Sequence, residues 1–295
     1  MPAWHPRTST PLRSVLMAAF LALLAAAAWG TSDFVAGRVS QRVSPVAVVG
    51  WSHVLVAIAL SGVVAVGFRE LPMSAPWLAW SVMAGIGGGA GLLCLYAALA
   101  SAPMGVVAPI SSLSAAVPVL AGVLLGERPT AWVWAGMAVA LVGTVLVSGP
   151  HVSTSVSVRP IVLAASAAVL LGAGLVGLGA AAQVSLVHTL WVMRMTSALG
   201  YAALAVARRT TGGVSRRHLA VIGAIGVGDL VANALFAAAT AVGFLSVSAV
   251  LGSLYPVATI ALAWAVLKER LGAVQYLGVL MAMAGVALIA GGSAA

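Results

Sequence analysis

The sequence predicts an all-α integral membrane protein with ten transmembrane helices arranged as two inverted five-helix repeats. Hydrophobic residues make up 62% of the 295 residues and charged residues only 6%, whereas roughly 25% of the residues in soluble domains are charged. A water-soluble fold cannot bury that much apolar surface, so the composition indicates that lipid is the solvent. Apolar runs recur along the chain at close to the ~20 residues that a helix needs to cross a bilayer. A motif that occurs once in each half indicates the duplication.

Polar, glycine and proline residues divide the chain into ten apolar runs. The predicted spans are residues 15–36, 46–67, 77–99, 105–125, 131–148, 160–182, 187–207, 219–241, 245–267 and 272–290. Arg7 and Arg13 precede the first run as they would in a signal peptide, but nine further spans favour a retained first helix. The widest predicted loops are 68–76, 150–159 and 208–218, so function is expected to reside within the membrane.

Two sequence matches indicate an internal duplication. Residues 124–149 match residues 266–291, and residues 88–100 match residues 228–240. The first match aligns Glu127 with Glu269, Arg128 with Arg270, Gly136 with Gly278 and Gly143 with Gly285. The predicted parts are an N-terminal tail (1–14), a first repeat (15–149), a linker loop (150–159) and a second repeat (160–291). Because five spans is an odd number, the second repeat must enter the membrane from the opposite side.

The basic charge of the chain favours a membrane setting over a nucleic-acid partner. Lysine and arginine total 14 residues against 5 aspartates and glutamates, which gives a formal net charge of +9. Four of the arginines bracket one short predicted loop: Arg208, Arg209, Arg216 and Arg217. We expect them to meet anionic lipid head groups there. Cys94 is the only cysteine, which excludes an intramolecular disulfide, a CxxC redox pair and a cysteine zinc cluster.

Four motifs carry a resemblance to a known family. They are WGTSDFVAGR (29–38), LLGERPT (124–130), SLYPV (253–257) and LKERLG (267–272). Over nearly its whole length the chain resembles the EamA-type carriers of the drug/metabolite transporter superfamily. The resemblance implies ten helices, two repeats, a central substrate cavity and export of amino acids, related metabolites or drugs. It also implies cytoplasmic termini, whereas the excess of arginine and lysine on the opposite face predicts termini outside. Ser114 departs from the repeat, since Pro256 stands at the aligned position.

Asp229 is the strongest single indication of a functional site. It lies near the middle of the predicted eighth span, where a carboxylate is costly unless it faces a cavity, a partner or a proton. Asn233 follows four residues later, so both side chains project from one helix face. The aligned positions in the third span, Gly89 and Leu93, carry no polar group, so the pair breaks the repeat symmetry as a substrate site requires. An interhelical hydrogen-bond clamp is the alternative.

Six further residues are candidates for substrate binding or ion coupling. Arg194 is expected to pair with Asp229, to receive a substrate carboxylate or to snorkel to the interface. His53 is a candidate proton relay or a satisfied structural histidine. Trp29 and Asp33 close the predicted first span and are candidates for part of a cavity entrance. The alternative is that Trp29 belongs to the aromatic belt at the membrane surface and that Asp33 is a helix-end carboxylate paired with Arg38. The list is completed by Tyr96 and Tyr255, which suit a cavity wall or interhelical packing.

These observations together predict a secondary transporter that works by alternating access. It is expected to export small metabolites, such as amino acids or drugs, across the plasma or inner membrane. Its expected partners are a small-molecule substrate, membrane lipids and protons as the coupling ion, with no cofactor, metal or nucleic acid. Glu127 and Glu269 are expected to be structural, each facing the N-terminal dipole of the helix that follows it. The rivals are a membrane enzyme and a passive channel. HExxH, clustered aspartates and GxSxG are all missing, which disfavours an enzyme.

Overall fold

The computed structural model describes residues 12–40, 42–72, 74–99, 101–102, 107, 110–147, 158–210, 212–268 and 272–292. Within these ranges the chain forms helices and no strand. Three residues that the sequence singled out, Arg7, Glu269 and Arg270, lie outside the described ranges.

The described helices form the predicted ten spans. The first half contains α1 (Leu12–Ser40), α2 (Pro45–Gly67), α3 (Ala75–Leu99), a 3-10 turn (Leu113–Ala115) that leads into α4 (Ala116–Leu124), and α5 (Ala131–Val147). The second half contains α6 (Val158–Ala182), α7 (Leu186–Ala207), α8 (Arg216–Val242), α9 (Leu245–Gly252), α10 (Tyr255–Leu267) and α11 (Ala273–Gly292). In the described part of the chain, eight apolar segments are long enough to cross a bilayer, and α9 and α10 together make one of them. The two shorter apolar segments are Ile110–Leu124 and Ala131–Val147.

The helix packing confirms that the two halves are inverted repeats. Spans α1, α2 and α3 correspond to α6, α7 and α8. The contact of α3 with α6 is therefore equivalent to that of α8 with α1, and the contact of α3 with α7 is equivalent to that of α8 with α2. The pairs α2 with α7, α4 with α9 and α5 with α11 join equivalent spans of the two halves. Exchanging the halves therefore maps this set of contacts onto itself, as a two-fold axis between inverted repeats requires.

The aligned glycines of the repeat let α5 and α11 touch backbone to backbone. A Cβ atom at Gly143 would lie 2.8 Å from the carbonyl oxygen of Gly278, and one at Gly136 would lie 2.9 Å from that of Gly285. The order of these contacts runs in opposite directions along the two helices, so the pair is antiparallel. Small residues at such a crossing allow close van der Waals packing, which is the main source of helix association in lipid.

Glu127 is structural, but it caps a different helix from the one expected. Its Oε1 accepts a hydrogen bond from the backbone N–H of Leu245 (2.5 Å) and its Oε2 accepts one from that of Ser246 (3.1 Å). The carboxylate therefore satisfies the open N-terminus of α9, in the other repeat, and the expected contact with the N-terminus of α5 is wrong. Only 4% of Glu127 is exposed, and burial raises the pKa of its carboxyl group against the lowering effect of these hydrogen bonds.

Helix α1 is longer than the sequence predicted. It continues to Ser40 without a break, so Trp29 and Asp33 lie inside the helix and do not close it. No ion pair joins Asp33 to Arg38, although both residues are described. The interpretation of Asp33 as a helix-end carboxylate paired with Arg38 is therefore wrong.

Candidate functional site

A central cavity of about 110 Å³ lies between the two repeats. Small residues form much of its wall, among them Gly85, Gly88 and Gly89 of α3 and Gly174 of α6. The polar residues that line the cavity are Trp29, Asp33, His53, Ser114, Arg194, Ser197, Asp229, Asn233, Ser253 and Tyr255. Seven of the eight predicted site residues are therefore brought together. The eighth, Tyr96, is half-buried on α3 and is not among the lining residues.

Asp229 and Arg194 form an ion pair at the centre of this group. One guanidinium nitrogen of Arg194, Nη2, donates to Oδ2 of Asp229, and the indole N–H of Trp29 donates to Oδ1 at 3.1 Å. The Arg194 side chain is 3% exposed and the Asp229 side chain is 20% exposed. One oxygen of the Asp229 carboxylate thus accepts from a charged donor and the other from a neutral donor. These hydrogen bonds offset part of the desolvation cost of burying the charge inside the bundle.

The contacts of His53 fix which of its ring nitrogens carries the proton. Nη1 of Arg194 lies 2.9 Å from Nε2 of His53, and because a guanidinium can only donate, Nε2 must accept. The proton then belongs on Nδ1, which lies 3.0 Å from Oγ of Ser197. Ser197 in turn donates to the backbone carbonyl of Met193 at 3.0 Å. The arrangement holds His53 as a neutral imidazole, so it is a satisfied member of the network in this conformation.

Asn233 presents its side chain to the cavity from the same face of α8 as Asp229. Its Nδ2 donates to the backbone carbonyl of Asp229 at 2.7 Å, one turn earlier on the helix. Asn233 lines the cavity, and no described residue donates a hydrogen bond to its amide oxygen. Asp229 and Asn233 therefore both line the cavity, and the amide oxygen is an acceptor that suits a neutral hydrogen bond to a solute.

Sequence reasoning missed several polar residues of the site. Ser114 and Ser197 line the cavity, and Tyr201 supports it by donating from its hydroxyl group to the backbone carbonyl of Gly89 at 3.0 Å. Ser253 lines it at the break between α9 and α10. Serine is common in membrane helices, so these residues carry little signal by themselves. For Ser197, its position three residues after Arg194 placed it on the same helix face and was the available clue.

The described residues contain no group of three or more histidine, cysteine, aspartate or glutamate side chains that could hold a metal ion. The charged groups that line the cavity are Asp33, Arg194 and Asp229, with neutral His53 beside them. Since Arg194 and Asp229 cancel, the net charge of the cavity depends on whether Asp33 is protonated. Such a site can hold a small polar solute by hydrogen bonds and can exchange a proton or a cation.

The fold and the cavity define an integral membrane protein of the inverted-repeat transporter class. The model of the EamA-like transporter family matches residues 16–149 and again residues 158–291, so the chain belongs to that family. The family is part of the drug/metabolite transporter superfamily, and the resemblance drawn from the sequence motifs is confirmed. The protein is therefore a multi-pass membrane transporter.

A solved structure shares this fold. It is a crystal structure described only as that of a protein, 21% identical in sequence with a TM-score of 0.73, and the match covers 94% of this chain and 96% of that chain. No curated protein matches the chain. The solved structure supports the fold, and neither comparison identifies a solute.

Proposed function

We propose that the protein is a secondary transporter that exports small polar metabolites, such as amino acids or drugs, across the plasma or inner membrane. The observation that carries the proposal is the Asp229–Arg194 ion pair in a cavity built from both inverted repeats. Charged residues within membrane spans are costly and mark solute or ion pathways. The interface between inverted repeats is where the substrate sites of such carriers lie.

Arg194 and Asn233 are the groups that would orient the solute. The Nε atom of Arg194 is buried and has no hydrogen-bond partner, although both terminal nitrogens are engaged. A solute carboxylate that displaced Asp229 from Arg194 would replace one ion pair by another and would gain this spare donor. The amide oxygen of Asn233 would then accept from a solute N–H or O–H group. A zwitterion satisfies both contacts, which favours amino acids and their derivatives.

Tyr201 supports an alternating-access mechanism because it lies between the central cavity and a second pocket. Its ring meets that of His53 edge-on, with 5.6 Å between centroids, on the cavity side. Tyr201 also lines a second pocket of about 350 Å³ together with Ser44, Trp51 and Arg208, near the start of α2 and the end of α7. We assign Tyr201 as a closed gate between the two spaces in this conformation.

Counterflow in proteoliposomes tests the transport proposal. Vesicles containing the purified protein are loaded with an unlabelled amino acid or organic cation and then diluted into a trace of the same labelled solute. A carrier is expected to accumulate the label transiently above its equilibrium level, and the rate is expected to saturate. A passive channel gives simple equilibration, and a membrane enzyme gives chemically altered label. Either of those results contradicts the proposal. Protein-free vesicles are the control.

A further inference from the structure

Asp33 is the carboxylate of the cavity that has no partner. No hydrogen bond and no ion pair to it is present among the described residues, although it lines the same cavity as Arg194. The one arginine that lines the cavity is engaged by Asp229, and the indole N–H of Trp29, one turn before Asp33 on α1, is also given to Asp229. The two carboxylates of the site are therefore in opposite situations.

The ionisable groups around Asp33 come from five other spans. Asp229 of α8 is a like charge, and the phenol groups of Tyr96 (α3) and Tyr255 (α10), which feel the charge of Asp33, carry no positive charge themselves. Arg194 of α7 lines the cavity but is paired with Asp229, and the neutral His53 of α2 is bonded to Arg194. None of these groups supplies Asp33 with a free positive charge. A carboxylate in such a low-dielectric place is stabilised either by a proton or by a bound cation.

We propose that Asp33 exchanges its proton for the ammonium group of the solute, so that one proton leaves as one monovalent cation binds. The inference rests on the proposed transport function and names its coupling group. In the empty cavity Asp33 is a neutral carboxylic acid and the Asp229–Arg194 pair is closed, so the net charge is zero. When the solute enters, the O–H bond of Asp33 breaks and the proton passes to water in the cavity. The carboxylate then pairs with the ammonium group, and the net charge remains zero when the solute carries one net positive charge, as an amine or a basic amino acid does.

The exchange explains why a second carboxylate stands beside an ion pair that is already complete. If proton and cation compete for Asp33, the two cannot be carried in the same direction on one half-cycle. A carrier whose occupied states each hold one positive charge at Asp33 therefore works as a proton/cation antiporter. Asp229 cannot take this role without leaving Arg194 charged and unpaired in the bundle.

Infrared difference spectroscopy of the full-length protein in lipid nanodiscs tests the proposal. The chain has only five carboxyl side chains, Asp33, Glu70, Glu127, Asp229 and Glu269, so the carbonyl stretch of a buried protonated acid can be assigned by single substitutions. We expect a titrating band that disappears in Asp33→Asn and persists in the double variant Asp229→Asn with Arg194→Gln, which removes the neighbouring carboxylate without freeing a positive charge beside Asp33. The matched control is Glu70→Gln, because Glu70 is exposed in the loop after α2 and its loss is expected to leave the band unchanged.

Methylammonium chloride serves as the probe for the cation, with potassium chloride as the ionic-strength control. At fixed pH, methylammonium is expected to remove the band in the wild type, with release of one proton per protein. A band that survives in Asp33→Asn, or one that methylammonium leaves unchanged, overturns the proposal. If Asp33→Asn does not fold, Asp33→Glu is read instead, and it must give the band at a shifted frequency. The infrared measurement requires no transport, so it tests the role of Asp33 independently of whether the counterflow experiment succeeds.

Discussion

Replacing Asp229 with asparagine is expected to destabilise the protein and to abolish saturable transport. The substitution leaves the charged guanidinium of Arg194, 3% exposed, with only neutral acceptors, namely His53 and the amide oxygen of the introduced asparagine. Removing one partner of a buried ion pair typically costs about 3–5 kcal/mol, because the remaining charge is uncompensated. Transport is expected to be lost because Asp229 can no longer displace a solute carboxylate from the guanidinium of Arg194, so the bound solute is not released. Thermal unfolding in detergent and counterflow in proteoliposomes measure the two effects.

The double variant Asp229→Asn with Arg194→Gln separates the ion pair from other causes. Because neither charge remains, it is expected to recover most of the lost thermal stability while staying inactive in transport. A second comparison distinguishes the roles of Asp229: counterflow that survives in Asp229→Asn while pH-driven transport is lost would assign proton coupling to Asp229 instead of Asp33. If Asp229→Asn folds normally and keeps both binding and gradient-driven transport, Asp229 is an interhelical clamp and the site assignment is wrong.

Replacing Glu127 with glutamine is expected to lower stability while leaving turnover per folded molecule unchanged. The carboxylate accepts from the backbone N–H groups of both Leu245 and Ser246, and a glutamine retains only one accepting oxygen. The amide nitrogen would then face a backbone donor in a site that is 4% exposed. Losing one hydrogen bond to a charged group costs about 1.5–3 kcal/mol. The yield of folded protein and its unfolding temperature measure the effect.

Glu70→Gln is the matched control for this substitution, since it removes a carboxylate from an exposed loop. It is expected to leave both the yield and the unfolding temperature unchanged. A well-folded Glu127→Gln protein that has lost turnover selectively would contradict the structural role. In that case the contact between the first repeat and α9 would be part of the transport cycle.

The helical spans were predictable because they follow from composition and length alone. Lipid leaves every backbone N–H and C=O group to be satisfied within the helix, so an apolar run of sufficient length has one available structure. The inversion followed from an odd number of spans in each repeat. The end of α1 was not predictable in this way, because Trp29 and Asp33 were expected to close a span that ends at residue 36, whereas the helix continues to Ser40.

The composition of the site was largely predictable, and its pairing was not. Charge in the middle of an apolar span identified Asp229 and Arg194, because such residues are expensive in any membrane fold. Which of several partners each one takes depends on how spans distant in sequence are brought together. The contact of Trp29 with Asp229 and the isolation of Asp33 are consequences of the packing of α1 against α8. Likewise, the cap that Glu127 provides for α9 crosses from one repeat to the other.

Alternating access of the central cavity is tested most directly by single-cysteine labelling from the two sides of the membrane. Cys94 is the only cysteine, so Cys94→Ala provides the background, and Ser114→Cys then places one thiol in the cavity wall. Leu120→Cys, on the same span and 60% exposed on the outer surface of the bundle, is the lipid-facing control and is expected to stay unreactive. We predict that an impermeant, charged thiol reagent reaches Cys at position 114 from either side, and that a solute active in counterflow slows both reactions. Reactivity from one side only, with or without that solute, would contradict the account.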